Sequence, residues 1–279
     1  MEITNKMYDE ERALYGSRSL TLTKVSFDGP QDGESALKES KNITINDCYF
    51  NLRYPLWHDD NITILNSNFT ENARASIWYT SNIFINESKL HGIKAVRESN
   101  NIIIKNCSII SSEFGWFNNV ISLTNCDIIS EYFLLHSTNI TLQGVTFKGK
   151  YSFQYVKNVE INDSNLDTKD AFWHSKNVMV KNSIIKGEYL GWYSENLTII
   201  DSKIIGTQPF CYAKNLTLIN CEMIDCDLAF EKTSVQATII NTVKSIKNPL
   251  SGKINAYGIE EIIIDDPNFK CEINTKIKK

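Results

Sequence analysis

Glycine and proline are scarce in this chain, at 12 and 5 of 279 residues, which excludes a collagen-like or linker-rich polymer. No apolar run approaches the roughly 18 residues of a membrane-spanning helix, so no membrane partner is expected. Positive charge is not in excess. The net charge is −4 and basic residues cluster only in the last few positions, whereas phosphate backbones require clustered Lys and Arg. Nucleic acid is therefore not an expected partner. The opening MEITNKMYDEERALYGS lacks a basic segment followed by an apolar stretch, so the expected location is cytoplasmic. The seven cysteines are odd in number and include no CxxC pair; Cys221 and Cys226 are nearest neighbours without further ligands close by. Reduced thiols are expected, with no metal site. No nucleotide, redox or haem motif occurs, so no cofactor is expected.

What the chain does have is a repeat. Segments opening on asparagine and alternating apolar with polar residues begin at Asn42, Asn61, Asn82, Asn101, Asn139, Asn158, Asn177, Asn196 and Asn215, with Val120 in the equivalent place. From Asn82 to Asn215 every step is 19 residues; the two earlier steps are 19 and 21. A looser copy starts at Ser19 and a last one at Glu261. Period-2 alternation with β-branched apolar residues predicts strands, and a unit this short buries its apolar face only by stacking. The expected fold is all-β: a right-handed parallel β-helix, a single-stranded solenoid of about 13 coils. A single domain is expected over 1–279, with a cap over 1–18, regular coils over 19–232 and irregular coils and tail over 233–279. Within the cap, Asp9 to Tyr15 is expected to form one or two amphipathic helical turns. A left-handed hexapeptide helix would have a period near 18 with three equivalent sides; here the sides are unequal. The asparagines are expected to stack at one corner as an amide ladder, and Cys48, Ser67, Ser88, Cys107, Cys126, Ser164, Ser183, Ser202 and Cys221 to fill a small inward site. Asn-x-Ser/Thr triplets such as Asn61-Ile62-Thr63 follow from the repeat, not from glycosylation.

The coils look like those of the pectin-lyase-like superfamily of right-handed β-helices. Within it, FDGPQDGESALKES, NLRYPLWH, GIKAVRES, SEFGWF, TKDAFWH and GEYLGWYS resemble an uncharacterised bacterial family classed as a domain of unknown function. The resemblance covers essentially the whole chain. It implies the fold, and for many superfamily members a polysaccharide lyase or hydrolase activity. The Asp-Asp, Gly-His-Gly and Arg-x-Lys set of polygalacturonases is missing, as is a pectate-lyase calcium cluster.

One face is built from different residues. Counting from each asparagine, offset fifteen reads Trp57, Trp78, Arg97, Trp116, Leu135, Gln154, Trp173, Trp192, Cys211 and Phe230. Offset sixteen reads His58, Tyr79, Glu98, Phe117, His136, Tyr155, His174, Tyr193, Tyr212 and Glu231. All five tryptophans fall in the first column and three of the four histidines in the second. Offset fourteen is apolar or glycine throughout and reads as inward. An outward aromatic stripe on a soluble chain needs a reason, and Arg97 and Gln154 in that column argue against full burial. The substrate-binding candidates are Trp57, His58, Trp78, Tyr79, Arg97, Trp116, Tyr155, Trp173, His174, Trp192 and Tyr193. Aromatic faces would stack on sugar rings while charged groups bind hydroxyls or acidic substituents. The catalytic candidates are Glu98, Glu113, His136 and Asp170. Glu98 and His136, two coils apart, would leave a span of roughly 10 Å for a water or a sugar hydroxyl; Lys94 and Glu113 read as an ion pair.

The expected function is a carbohydrate-active protein binding an oligosaccharide or sugar acid along this face, as a polysaccharide lyase, glycoside hydrolase or epimerase. The alternative is a non-catalytic scaffold whose aromatic face docks a protein or a second copy.

Overall fold

The computed structural model describes residues 1–29 and 33–276. Pro30, Gln31 and Asp32 of the FDGPQDGESALKES segment, and Ile277, Lys278 and Lys279 of the tail, lie outside the described residues. Among the described residues every regular element is a strand, wound into a parallel β-solenoid of about 14 turns of about 19 residues. The chain divides into two compact units, Met1–Ile140 and Thr141–Lys279.

The first coil is the segment expected to be a cap. Glu2–Thr4 pairs in parallel with Arg18–Thr23, and Met7–Tyr8 with Ser26–Phe27. Asp9 to Tyr15 makes turns, not helix. The backbone N–H groups of Arg12, Leu14 and Gly16 donate to the carbonyls of Glu34, Ala36 and Lys38 at 2.8, 2.8 and 2.9 Å. Seven residues are too few to nucleate a helix unaided, and the next coil offers acceptors at every second residue. This coil lifts the count from about 13 to about 14.

In the first unit the asparagine strands Lys41–Asn46, Asp60–Leu65, Ser81–Asn86, Asn100–Lys105 and Asn119–Thr124 stack in register. Ile43, Ile62, Ile83, Ile102 and Ile121 form one inward column, and Ile45, Ile64, Ile85, Ile104 and Leu123 a second, all buried. A second side stacks Phe27, Phe50 and Phe69, with ring centroids 4.8 and 4.3 Å apart. A third side is a short sheet of Leu56–Trp57, Ile77–Trp78 and Val96–Arg97. Like residues meet like residues because a parallel coil repeats each environment one step along the axis.

In the second unit the strands Lys157–Asn162, Lys176–Lys181 and Glu195–Ile200 repeat the pattern, and Phe153 stacks on Phe172 at 5.0 Å. Gly191 takes the next place in that phenylalanine column at φ 69°, where a Cβ would sit 2.7 Å from the Phe210 ring. Beyond residue 233 the corners give way to long strands, Ser234–Lys247 and Ser251–Ile263, whose pairing shifts between Ile239 and Thr242.

At least four positions of each regular coil pass through the left-handed backbone region, such as Asn42, Asp47, Tyr54 and His58. At the asparagine corner, Asn42, Asn61 and Asn82 each have φ 58°, a conformation that asparagine tolerates better than other residues with a Cβ. The amides then ladder: Asn61 Nδ2 donates to Asn42 Oδ1 and Asn101 Nδ2 to Asn82 Oδ1, each at 2.8 Å. The same chain runs through Asn215, Asn196, Asn177 and Asn158 in the second unit. The small inward site follows. Its hydroxyls and thiols accept from the backbone of the preceding coil, as Ser67 Oγ does from the Cys48 N–H at 3.0 Å and Ser183 Oγ from the Ser164 N–H at 3.0 Å.

Candidate ligand-binding face

The tryptophan column is half-buried, and its indole N–H groups are already engaged. Trp57 Nε1 donates to the Ala75 carbonyl, Trp78 Nε1 to Lys94 and Trp116 Nε1 to Tyr132, at 2.7, 2.7 and 2.6 Å. In the second unit Trp173 Nε1 donates to Tyr189 and Trp192 Nε1 to Gln208, at 2.7 and 2.8 Å. Gln154 does the same with its amide, 3.1 Å from the Asp170 carbonyl. Every acceptor is a residue of positive φ, whose carbonyl is turned out of the ladder between coils and needs a donor. Each indole thus pins one coil to the turn of the next, a structural role that composition and spacing did not reveal. The clue in the sequence was Gln154, since a tryptophan N–H and a glutamine amide share a donor at similar reach.

Tryptophan faces largely cover one another. Trp57 stacks on Trp78 with centroids 5.0 Å apart and planes 5° apart; Trp173 stacks on Trp192 at 5.6 Å and 8°. The offset-sixteen rings form a second, exposed ladder at the left-handed corner. In the first unit His58 stacks on Tyr79 at 4.8 Å and Phe117 on His136 at 5.3 Å. In the second, Tyr155, His174, Tyr193 and Tyr212 run unbroken at 4.9, 5.0 and 4.9 Å, all within 10° of parallel. Rings stacked on each other present edges, hydroxyls and ring nitrogens to solvent. Sugar stacking on ring faces, expected along the whole column, is therefore confined to places where the ladder breaks.

In the first unit it breaks at one coil. Arg97 replaces a tryptophan and Glu98 a ring, and the two are paired at 3.1 Å from Nε to Oε1. The Arg97 guanidinium lies between the indoles, 5.1 Å from the Trp78 centroid and 5.3 Å from Trp116, and 5.5 Å from Phe117.

The four catalytic candidates are not brought together. Phe117 stands between Glu98 and His136 in their column and stacks on His136 at 5.3 Å. The span expected to admit a water holds a ring. Glu113 is paired with Lys94 at 3.3 Å, as its column spacing suggested. Asp170 belongs to the second unit, where it is 7% exposed. Burial pushes its carboxyl above the usual range; Lys169 opposes the shift and Glu188 adds to it. Lys169 itself is paired with Glu188 at 2.9 Å. Among the described residues no three His, Cys, Asp or Glu side chains are grouped to hold a metal ion.

One buried carboxyl escaped the sequence reading. Asp59 follows His58 and is 3% exposed. It occupies an inner ladder otherwise built of neutral groups: Ser40 N–H donates to Asp59 Oδ1 at 2.7 Å, Thr80 N–H to Ser99 Oγ at 3.2 Å, Ser99 N–H to Asn118 Oδ1 at 2.8 Å and Asn118 N–H to Ser137 Oγ at 2.9 Å. Its Oδ2 has no hydrogen-bond partner among the described residues. Burial pushes this carboxyl up to about 8, only partly offset by the Ser40 N–H.

The chain belongs to the family of proteins of unknown function DUF3737, whose model matches residues 1–278. The resemblance to an uncharacterised family is thereby borne out. No curated protein matches the chain. Among solved structures it is similar to PfbA, a surface adhesin of Streptococcus pneumoniae, at 10% identity and TM-score 0.44, covering 93% of this chain and 84% of that one. It is also similar to the catalytic domain of a GH87 alpha-1,3-glucanase in complex with tetrasaccharides, at 10% identity and TM-score 0.37, covering 99% and 64%. A third is the A-module of the Azotobacter vinelandii mannuronan C-5 epimerase AlgE4, at 11% identity and TM-score 0.29, covering 84% and 78%.

Proposed function

We propose that this member of the DUF3737 family binds an oligosaccharide along its aromatic corner, as a recognition surface before any chemistry. The observation that supports this reading is the exposed ladder of stacked rings. Tyr155 is 42% exposed and Tyr193 46%, with the His174 ring stacked between them. Such a ladder offers hydroxyl and imidazole edges, both donor and acceptor, at the coil spacing of about 4.8 Å. The rings are held rigid by stacking and the indoles beneath them by hydrogen bonds, so little side-chain freedom is lost on binding. A repeating polar ligand meets a repeating polar edge. The paired and separated acidic residues favour binding over catalysis as the primary role.

The test is calorimetric titration with neutral and acidic oligosaccharides, comparing Tyr193→Ala and Tyr79→Ala with Thr198→Ala on the asparagine strand. Binding weakened by the two ring variants and unchanged in the strand variant supports the reading. Absence of binding to any saccharide, with a concentration-dependent mass that Tyr193→Ala abolishes, would replace it by self-association through the same face.

A further inference from the structure

The break in the first unit's aromatic wall has a chemistry of its own. In both units the tryptophans of the offset-fifteen column, together with Gln154, donate to a turn carbonyl of the following coil. Arg97 has the reach and the donors to do the same, yet the carbonyl of Glu113 in the equivalent place receives no side-chain donor from the described residues. The guanidinium uses Nε on Glu98, and neither Nη donates to any described residue. Two indoles hold it from either side. The arrangement is a planar fork of donors, immobilised and half-exposed, with its outer edge unused.

This fork opens on a depression of about 600 Å³ lined by Arg97, Glu98, Ser99, Asn100, Phe117 and Asn119. Asn119 Nδ2 donates to Asn100 Oδ1 at 2.8 Å, while Asn100 Nδ2 donates to none of the described residues. Tyr79 and Phe117 stack on His58 and His136 by one face each. Their other faces look toward the Glu98 coil across about 10 Å, two coil steps. A ring-stacking position, an amide donor and a guanidinium fork therefore converge here.

We propose that Arg97 is the specificity-determining residue of the saccharide-binding face and reads an oxyanion carried by a sugar ring, a carboxylate or a phosphate, seated against Phe117. The inference rests on the saccharide-binding reading above. A fork held flat between aromatic faces suits bidentate contact with two oxygens of one anionic group. Glu98 neutralises Arg97 in the free protein and competes with the ligand for it. Charge-assisted contact of this kind sets acid against neutral sugar by about tenfold or more.

The experiment titrates a uronic acid oligosaccharide, its carboxyl-reduced neutral counterpart and a phosphorylated oligosaccharide into the full chain and into Arg97→Gln and Glu98→Gln. The full chain is expected to prefer at least one acidic ligand by about tenfold, and which one identifies the oxyanion. Arg97→Gln should bind all three alike. Glu98→Gln, which removes the competitor and leaves the indole clamp, should bind the acidic ligand several-fold tighter, and it keeps the test decisive if Arg97→Gln does not fold. Neutral and acidic ligands bound equally by the full chain overturn the Arg97 assignment and leave the saccharide face standing. So does acid preference that survives in Arg97→Gln, or Glu98→Gln binding no tighter. No binding of any of the three removes both.

Discussion

The asparagine corner and the aromatic corner face the same strain and relieve it differently. Asn177 and Asn196 turn at φ 55° and 56°; His174 and Tyr193, a few residues away in the same coils, turn at 52° and 56°. At the first corner the Asn196 amide donates to the Asn177 amide of the preceding coil at 2.9 Å, and the residue type suits the backbone. At the second the residue types do not suit it, since rings gain nothing from left-handed backbone. There the compensation is lateral: ring on ring at 5.0 Å, with Trp192 pinned to Gln208 at 2.8 Å. One corner closes on itself through an amide ladder. The other leaves hydroxyls and ring edges facing solvent. A face whose stability comes from stacking keeps its polar edges available for something else, and this is why function is sought there.

The comparison breaks most sharply if the indoles prove dispensable. Trp192→Ala removes a stack, a half-buried ring and the indole donor to the Gln208 carbonyl, and is expected to cost about 2–3 kcal/mol of unfolding free energy, below the range for fully buried aromatics. Urea unfolding measures it. A loss under about 0.5 kcal/mol would mean the column is decoration, and the rigidity argued for the ring ladder would go with it.

Next in size is Asp59, the one carboxyl in the inner ladder beside the aromatic corner, where the ladder beside the asparagine corner is neutral. Its folded value of about 8 lies above the unfolded 3.8. The native state therefore keeps a proton that the unfolded state releases, and stability falls as pH rises from about 4 to about 8, then levels off. Asp59→Asn keeps the acceptor for the Ser40 N–H and cannot ionise. It is expected to match the parent near pH 4 and exceed it by about 2 kcal/mol at pH 7, discounted from the full linkage value for relaxation around the site. Thermal melts across pH 4–9 read the difference. Parallel curves for the two proteins would show that Asp59 ionises freely.

How much of this was legible beforehand depends on what repeats. The strands, the inward isoleucine columns and the asparagine ladder recur at a fixed step, so Ile83, Ile102 and Ile121 announce their own stacking. Residues that act by departing from the repeat are harder to read. Arg97 and Glu98 were visible as members of columns, but their role lies in the contacts their neighbours make and they do not. Asp59 gave no signal in the repeat, because burial of a corner residue cannot be inferred from a period that alternates only along strands. The first coil was missed for a related reason: Met1 to Ser17 has no asparagine opening its strand, while its pairing with Arg18–Thr23 runs through the backbone. Scarce glycine also concealed the turns, since residues with side chains occupy most left-handed positions and are held there by adjacent coils.

A smaller change separates the two jobs of the tryptophan. Trp192→Phe keeps an aromatic ring on Trp173 and deletes only the N–H donor to Gln208. The expected cost is about 1 kcal/mol, that of one hydrogen bond whose acceptor retains some access to water. With Trp192→Ala it divides packing from pinning by subtraction. If Trp192→Phe costs as much as Trp192→Ala, the indole acts through its hydrogen bond and the stack contributes little.

The smallest effect tests the other corner. Asn177 donates to Asn158 and accepts from Asn196 while holding φ 55°. Alanine loses both amide bonds and the tolerance of left-handed backbone; glycine loses the bonds and gains tolerance. Exposed hydrogen bonds contribute little net, whereas left-handed backbone costs an ordinary residue roughly 1 kcal/mol. Asn177→Gly should therefore lie within about 0.5 kcal/mol of the parent, with Asn177→Ala about 1 kcal/mol below it. The same pair at Tyr193 should reverse in emphasis, both variants losing the stack on His174 and Tyr212 and differing less from each other. If glycine and alanine are equally harmful at Asn177, the amide ladder itself holds that corner. Both corners would then be held by contacts between coils, and the contrast would reduce to which contacts leave polar edges exposed.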